Sequence, residues 1–277
     1  SGGQRTLVLL DGIPINDACT GGTDVGNLPI GNIERIEVVK GPFSSLYGGE
    51  AMGGVINIIT QTPKKESFEF KSLASACNTY HHILNYGNKL GNLSFSLNLE
   101  KRASEGDRTD LVTTSVKPGT SATAPKVTGW TKTMDSKGNS TYLIGDKGKN
   151  YWDQDQYGCK FGYWLNPASN LSFSYKGNSR EYGYRDPQSY LVDGGGKPVD
   201  SGKIELSGEG TMTVSPANFL STWGRVKDNV YGLGYDTLLG GIALKGKLNL
   251  IDCSDFSVTP QIGANYQGGP GKLTKTS

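Results

Sequence analysis

Few reactive side chains in this 277-residue sequence are spaced for covalent chemistry. Its two histidines are adjacent, His81-His82. In an extended strand, neighbours project to opposite faces, so one metal ion cannot easily take both. Asp153-Gln154-Asp155 puts two carboxylates on one face. A calcium or glycosidase site needs further oxygens or a partner acid that the sequence does not place, and a solvated rim pair is the plainer reading. Cys19, Cys77, Cys159 and Cys253 lie far apart with no C-x-x-C, so no zinc or redox motif is supported and free thiols are expected. No histidine is placed beside a serine or cysteine nucleophile. The glycine pairs lack both the Gly-Lys-Ser/Thr of a phosphate loop and dinucleotide spacing. The expectation is therefore no catalytic residue, no metal ligand and no cofactor: not an enzyme. A net charge of +2, from 28 basic and 26 acidic residues, argues against a polyanion surface and so against a nucleic-acid partner.

The chemistry that remains is binding. Arg102, Trp152, Arg180, Tyr182 and Tyr184 combine guanidinium groups, which hold anions through charge-assisted bonds, with rings that stack on flat ligand parts. A second candidate is the polar stretch 15–26, with Asn16, Asp17, Thr20, Thr23 and Asp24, since loops on rigid scaffolds carry much of binding. Whether these residues meet depends on the elements that carry them.

Glycine is 40 of 277 residues, and only 35% of the chain is hydrophobic and 19% charged. That suits a β protein with many turns. No run approaches the ~20 apolar residues of a transmembrane helix. Residues 1–63 hold compact apolar runs between glycine-rich loops, Thr6–Leu10, Ile33–Val39 and Val55–Thr60, which read as buried strands. From residue 64 the pattern alternates. Leu93, Phe95, Leu97 and Leu99 oppose Ser94, Ser96, Asn98 and Glu100; Leu171, Phe173 and Tyr175 oppose Ser172, Ser174 and Lys176. Period two gives the sheet one apolar, aromatic face and one polar face. Strands are predicted near 66–76, 80–88, 92–103, 152–165, 170–184, 237–250 and 255–267. The second, fourth and sixth links are tight, and long links (104–151 and 185–236) fall only at odd positions. Up-and-down strands with tight turns at one end and long loops at the other describe an outer-membrane barrel, with tyrosines such as Tyr157, Tyr163 and Tyr175 suited to an interfacial girdle. A soluble sandwich, with the apolar face inward, stays open on the sequence alone. On the barrel phase, Leu93, Phe95, Leu97, Phe161, Leu171, Phe173, Leu244 and Leu248 face outward. The five candidate binding residues and Lys160, Lys176, Lys245 and Lys247 face inward.

The first region carries the most specific signal. Arg5-Thr6-Leu7-Val8-Leu9-Leu10-Asp11-Gly12-Ile13-Pro14 is followed by Ile33-Glu34-Arg35-Ile36-Glu37-Val38-Val39-Lys40-Gly41-Pro42. Then come Ser44-Ser45-Leu46-Tyr47-Gly48 and Ala51-Met52-Gly53-Gly54-Val55-Ile56-Asn57-Ile58-Ile59-Thr60. Over residues 5–62 this string resembles the plug domain of TonB-dependent outer-membrane receptors, in the style of siderophore, colicin I and cobalamin receptors. The resemblance implies an all-β transmembrane barrel fragment of about seven antiparallel strands with a small α/β-type plug segment. Residues 1–63 would be the C-terminal part of the plug and 64–277 the first part of the barrel. Both ends read as cuts in a longer protein, so the energy-coupling box and the rest of the barrel are expected outside the chain. Family plugs usually carry arginine before Gly-Pro; here it is Lys40. The resemblance implies plug–wall charge pairing through Glu34, Arg35, Glu37 and Lys40, with Lys160 and Lys247 as counter-charges for Glu34, Glu37 and Glu50. It also implies location in the bacterial outer membrane, contact with outer-membrane lipid, a TonB-type coupling partner, and active uptake of a scarce ligand, foremost a ferric siderophore or other metal chelate. A cobalamin receptor and a passive or structural porin- or adhesin-like barrel are the alternatives.

Overall fold

The computed structural model describes residues 5–16, 22, 23, 26, 28, 30–42, 49–259 and 272–276. Two bodies of sheet follow the two textures of the sequence. The first is a four-stranded sheet of β1 (Thr6–Leu10), β2 (Ile13–Pro14), β3 (Ile33–Lys40) and β4 (Gly54–Thr60), in the order β2-β1-β4-β3. β1 and β4 run parallel, as β-branched and leucine-rich runs buried on both faces do, and β3 closes the sheet antiparallel to β4. Leu7, Leu9, Ala51 and Val55 pack on one face, and Val8, Leu10, Leu28 and Ile58 on the other. Short 3-10 turns at Ile30–Asn32 and Gly49–Ala51 join the strands, with no α-helix among the described residues.

The second body is a continuous antiparallel sheet. It contains β5 (Ser67–Ser75), β6 (Thr79–Leu90), β7 (Leu93–Ser104), β12 (Lys149–Asn166), β13 (Ser169–Arg185), β17 (Trp223–Leu239), β18 (Ile242–Thr259) and β19 (Lys272–Thr276). Neighbours in sequence are neighbours in space, from β5 through to β19. The alternation phase is as read from the sequence. Ser94, Asn98 and Glu100 are buried on the face toward the first sheet, while Leu97, Phe161, Phe173 and Leu248 are exposed on the outer face. Rings line up across that face: Phe161 with Phe173 at 6.4 Å and Tyr175 with Tyr231 at 4.9 Å between centroids.

The last two long strands differ from the sequence reading. Leu239 pairs with Ile242 across Gly240-Gly241, both at positive φ (56° and 85°), so a tight hairpin turn sits inside the span 237–250 that had read as one strand. A two-residue turn with both central residues left-handed matches strand twist, and glycine adopts it without strain. β17 therefore begins at Trp223, and Asp252-Cys253-Ser254, read as a turn, lies within β18. Leu238 is paired with Ala243 and so faces away from Ile242. Residues 260–267 lie outside the described residues. The parity of short and long links survives, because one tight turn has replaced another.

The two long links are not structureless. The first carries β8 (Leu111–Thr114), β9 (Lys126–Val127), β10 (Thr131–Met134) and β11 (Ser140–Asp146). The second carries β14 (Gln188–Ser189), β15 (Gly202–Leu206) and β16 (Gly210–Val214). They interleave: β11 pairs with β14, and β9 with β15. Val112, Val127, Tyr142 and Ile144 from the first link bury against Leu191, Ile204, Leu206, Val214 and Phe219 from the second. The result is one small folded module at the long-loop end of the sheet.

Candidate ligand-binding face and plug contacts

The strand register brings the candidate binding residues together. Arg102 stands opposite Gln154, and Gln154 opposite Arg180. One step further toward the long loops, Trp152 stands opposite Tyr182, and Asn150 opposite Tyr184. Three successive rows on the inner face thus hold two guanidinium groups and three rings, with the Arg180 guanidinium 5.6 Å from the centroid of Tyr182. Arg102 has a second duty. Its Nε donates to Gln154 Oε1 at 2.9 Å, and its guanidinium also donates to the Gly26 carbonyl. Gln154 Nε2 donates to that same carbonyl at 3.2 Å. The stretch 15–26 is therefore tied at its end to the wall bearing the cluster. Gln154, 2% exposed, was missed in the sequence because an uncharged amide on an inward strand position carries no signal by itself.

Of the loop candidates, Asp17, Thr20 and Asp24 lie outside the described residues. Asn16 is engaged structurally: its Oδ1 accepts the Val8 N–H at 2.8 Å and its Nδ2 donates to the Thr6 carbonyl at 3.0 Å, so it braces β1. Thr23 Oγ1 is buried without a hydrogen-bond partner among the described residues.

The plug charges are arranged differently from the expectation. Arg35 pairs along its own strand with Glu37 at 2.9 Å and Glu34 at 3.4 Å, all well exposed, and not with the described wall. A guanidinium flanked by two carboxylates on one strand needs no distant partner. Lys40 ends the same strand, exposed. The two deep lysines converge instead on Asp11. Lys160 Nζ lies 2.7 Å from Asp11 Oδ2, and Lys247 Nζ donates to the Asp11 carbonyl at 2.8 Å. Glu34 and Glu37 are not their counter-charges, and the side chain of Glu50 lies outside the described residues. Asp11 also accepts the Thr60 N–H and hydroxyl at 2.9 and 2.8 Å. Its φ of 51° leaves its carboxylate free to reach both β4 and the wall. Short polar residues are the usual non-glycine occupants of that conformation.

A further plug contact falls at Glu100, 3% exposed. It takes His81 Nε2 at 2.7 Å and faces the Gly31 N–H at 3.5 Å, while Asn85 Nδ2 donates to the Gly31 carbonyl at 2.8 Å. His82 projects the other way, to Ser72 Oγ at 3.0 Å, so the histidine pair straddles the sheet. Asp153 and Asp155 both sit on Lys101, at 2.5 and 3.0 Å, an ion-paired patch on the outer face beyond the aromatic rows. Cys77, Cys159 and Cys253 form no disulfide among the described residues; Cys19 lies outside them.

The loop module has its own polar anchor. Asp146, fully buried, meets Arg108 Nη1 at 2.5 Å, the Tyr190 hydroxyl at 2.7 Å and the Gly148 N–H at 2.7 Å, tying both long links to one carboxylate. That hydrogen bond pushes the Tyr190 phenol above its ordinary range. Lys132 at 2.8 Å and the Tyr142 hydroxyl at 2.7 Å hold Glu209 below the usual carboxylate range.

Residues 1–55 match the TonB-dependent Receptor Plug Domain family. Among curated proteins, the vitamin B12 transporter BtuB of Vibrio vulnificus (strain YJ016) is 53% identical over 57 residues, covering 21% of this chain and 9% of that protein. BtuB of Vibrio cholerae (strain ATCC 39541) is 46% identical over 63 residues, 23% of this chain and 10% of the relative. The curated matches thus span about a tenth of their relatives' length. Among solved structures, the ferric enterobactin receptor PfeA of Pseudomonas aeruginosa, in complex with enterobactin, aligns over 98% of this chain and 37% of its own, with a TM-score of 0.56 at 15% identity. The siderophore receptor PirA of Acinetobacter baumannii aligns over 99% of this chain and 36% of its own, with a TM-score of 0.54 at 18% identity. Residues 1–55 are thus similar to a plug domain, and the described sheets share their fold with part of the siderophore-receptor structures. Of these relatives, BtuB is a vitamin B12 transporter, PfeA a ferric enterobactin receptor and PirA a siderophore receptor.

Proposed function

We propose that the whole protein is an outer-membrane active transporter that binds a ferric siderophore or related metal chelate on the extracellular side of plug and barrel, and releases it inward when a TonB-type protein remodels the plug. The observation that carries this reading is the pair of inner-face rows joining Arg102, Gln154 and Arg180 to Trp152 and Tyr182, beside the plug carbonyl of Gly26. Guanidinium groups above a plug suit an anionic chelate, and rings suit its flat parts. Asp17, Thr20, Thr23, Asp24 and Tyr184 complete the proposed ligand-facing set, while Asn16, whose amide is engaged on β1, positions the loop. The long-loop end is then extracellular, and the plug–barrel boundary falls at residues 63/64, between the end of β4 and the start of β5.

The outer face supports the membrane setting. From Tyr157 to Leu165 the outward residues of β12 form an apolar and aromatic run of about 27 Å along the strand, or roughly 20 Å of height at the usual tilt, close to the band that outer-membrane barrels present to lipid. Beyond it, the Lys101–Asp153–Asp155 patch marks the return to water. A passive pore has no use for the plug segment. Cobalamin is the second reading, favoured by the plug's identity to vitamin B12 transporters; such a ligand would gain less from the arginines. The test is Arg180→Glu in the whole receptor. Uptake of ferric enterobactin or another anionic ferric siderophore should fall at least tenfold at normal expression. Normal uptake of every anionic chelate tried would remove the arginine from the site.

A further inference from the structure

The plug does not lie flush against the wall. A cavity of about 50 Å³ separates Asp11, Ile13 and Thr60 from Gln156, Ser174 and Lys176. A second, of about 250 Å³, continues toward the tight-turn end, reaching Trp164, Asn170 and Asp236. Asp11, Ile13, Ser96, Lys160 and Ser174 line both, so the two are one slot pinched at the turn Asp11-Gly12-Ile13.

The wall behind the pinch is cut back to small side chains. Ser94, Gly162, Ser172 and Gly234 form one row across β7, β12, β13 and β17. Ser96, Lys160, Ser174 and Gly232 form the next. Lys160 is the only long side chain in either row, and it is drawn onto Asp11. A Cβ at Gly232 would stand 2.6 Å from Ser174 Oγ and 3.0 Å from Ile13 Cδ1, so any larger residue there has to displace the ends of both side chains.

The slot is polar and wants water. Gln156, 2% exposed, points an Oε1 with no hydrogen-bond partner at the upper cavity. At the lower end, Asn170 Oδ1 and Asp236 Oδ1 are buried and unpartnered in the same way. Buried acceptors of this kind are satisfied by ordered water. The pinch itself is held by Lys160 and Lys247, from two wall strands that are not neighbours, gripping one plug residue by its carboxylate and its carbonyl.

We infer that the Asp11-Gly12-Ile13 turn is the gate of a hydrated permeation slot between plug and wall along β12, β13 and β17, with Lys160 and Lys247 as the positioning residues that hold it shut. The inference deepens the transport reading and rests on it for the identity of the cargo, a hydrophilic, oxygen-rich solute that serine and glycine walls pass without adhesion. A space of about 50 Å³ admits water but no chelate, so passage requires this turn to leave the wall.

The test uses the whole receptor with its native cysteines replaced by serine. In the first arm Ser174→Cys reports access to an anionic methanethiosulfonate reagent without any ligand. Adding Asp11→Asn, or Lys160→Met with Lys247→Met should Asp11→Asn fail to fold, should raise the labelling rate about tenfold or more. An unchanged rate in a folded variant overturns the gate. In the second arm Ile13→Cys and Ser174→Cys are bridged by a short bismaleimide in cells. Ferric enterobactin and cyanocobalamin are the probes. Whichever one the receptor binds should still bind but no longer enter; undiminished entry at full cross-linking overturns the proposal. If neither probe binds, the transport reading of these ligands fails, and the labelling arm still decides the gate.

Discussion

Ile144→Ala probes the unity of the two long links. Ile144 is 1% exposed in a core built from both, against Leu191, Ile204 and Leu206. Removing a fully buried isoleucine down to alanine costs about 2–5 kcal/mol when the site cannot collapse. Taking about 3 kcal/mol, opening of the module becomes more frequent by a factor on the order of a hundred. The reporters are amides that bond across the two links: Thr128 N–H to Val192 O at 3.0 Å, Glu205 N–H to Pro125 O at 2.9 Å, and Thr211 N–H to Lys117 O at 2.9 Å. Hydrogen exchange on the whole receptor in detergent should show all three accelerating together, though Ile144 belongs to the first link alone. The neighbouring sheet amides of β12 and β13 should stay protected. Acceleration confined to 105–148, with Glu205 and Thr211 unchanged, would refute the claim that the two links fold as one unit.

Other substitutions separate the faces and the anchors. Phe161→Arg or Phe173→Arg, on the outer face at mid-depth, should cost about 2–4 kcal/mol in folding into lipid, and the same change at inward Ser96 far less; equal penalties would show the phase to be wrong. Arg108→Ala leaves the fully buried Asp146 without its cation and should destabilise the loop module by about 3–5 kcal/mol in a melt followed by loop fluorescence, with Asp146→Asn milder. The Lys132–Glu209–Tyr142 contact gives a pH dependence of known sign. Glu209 is held low, so its contribution is complete above the ordinary carboxylate range and fades as pH falls through the lower folded value; Lys132 and Tyr142 are held high, so theirs fades only as pH rises past their folded values. Module protection should therefore be flat through neutral pH and decline at both extremes, and a decline at pH 6–8 would contradict it.

The barrel strands were legible because period two survives wherever one face meets an apolar surround. Leu93 to Glu100 and Leu171 to Lys176 show it, and the register built on them brings Arg102, Arg180, Trp152 and Tyr182 into adjacent rows. The hairpin at Gly240-Gly241 was not legible because leucine and isoleucine flank it and carry the apolar texture straight through the turn. Strands β8 to β11 and β14 to β16 escaped for a different reason. They are two to seven residues long, too short for a period to register, and their core is assembled from both links at once. Charge alone misled at the plug. It matched Lys160 and Lys247 with glutamates, whereas the residue that meets them is Asp11, by its carboxylate and its backbone carbonyl, in a left-handed turn at the wall.

The measurement that bears most directly on the account is equilibrium binding of ferric enterobactin and of cyanocobalamin to the purified whole receptor, with and without Arg180→Glu. The account predicts saturable binding of the ferric chelate, weakened at least tenfold by Arg180→Glu and unchanged by Phe173→Arg in protein that folds. Tight binding of cyanocobalamin, indifferent to Arg180, with no binding of any ferric chelate, would contradict it.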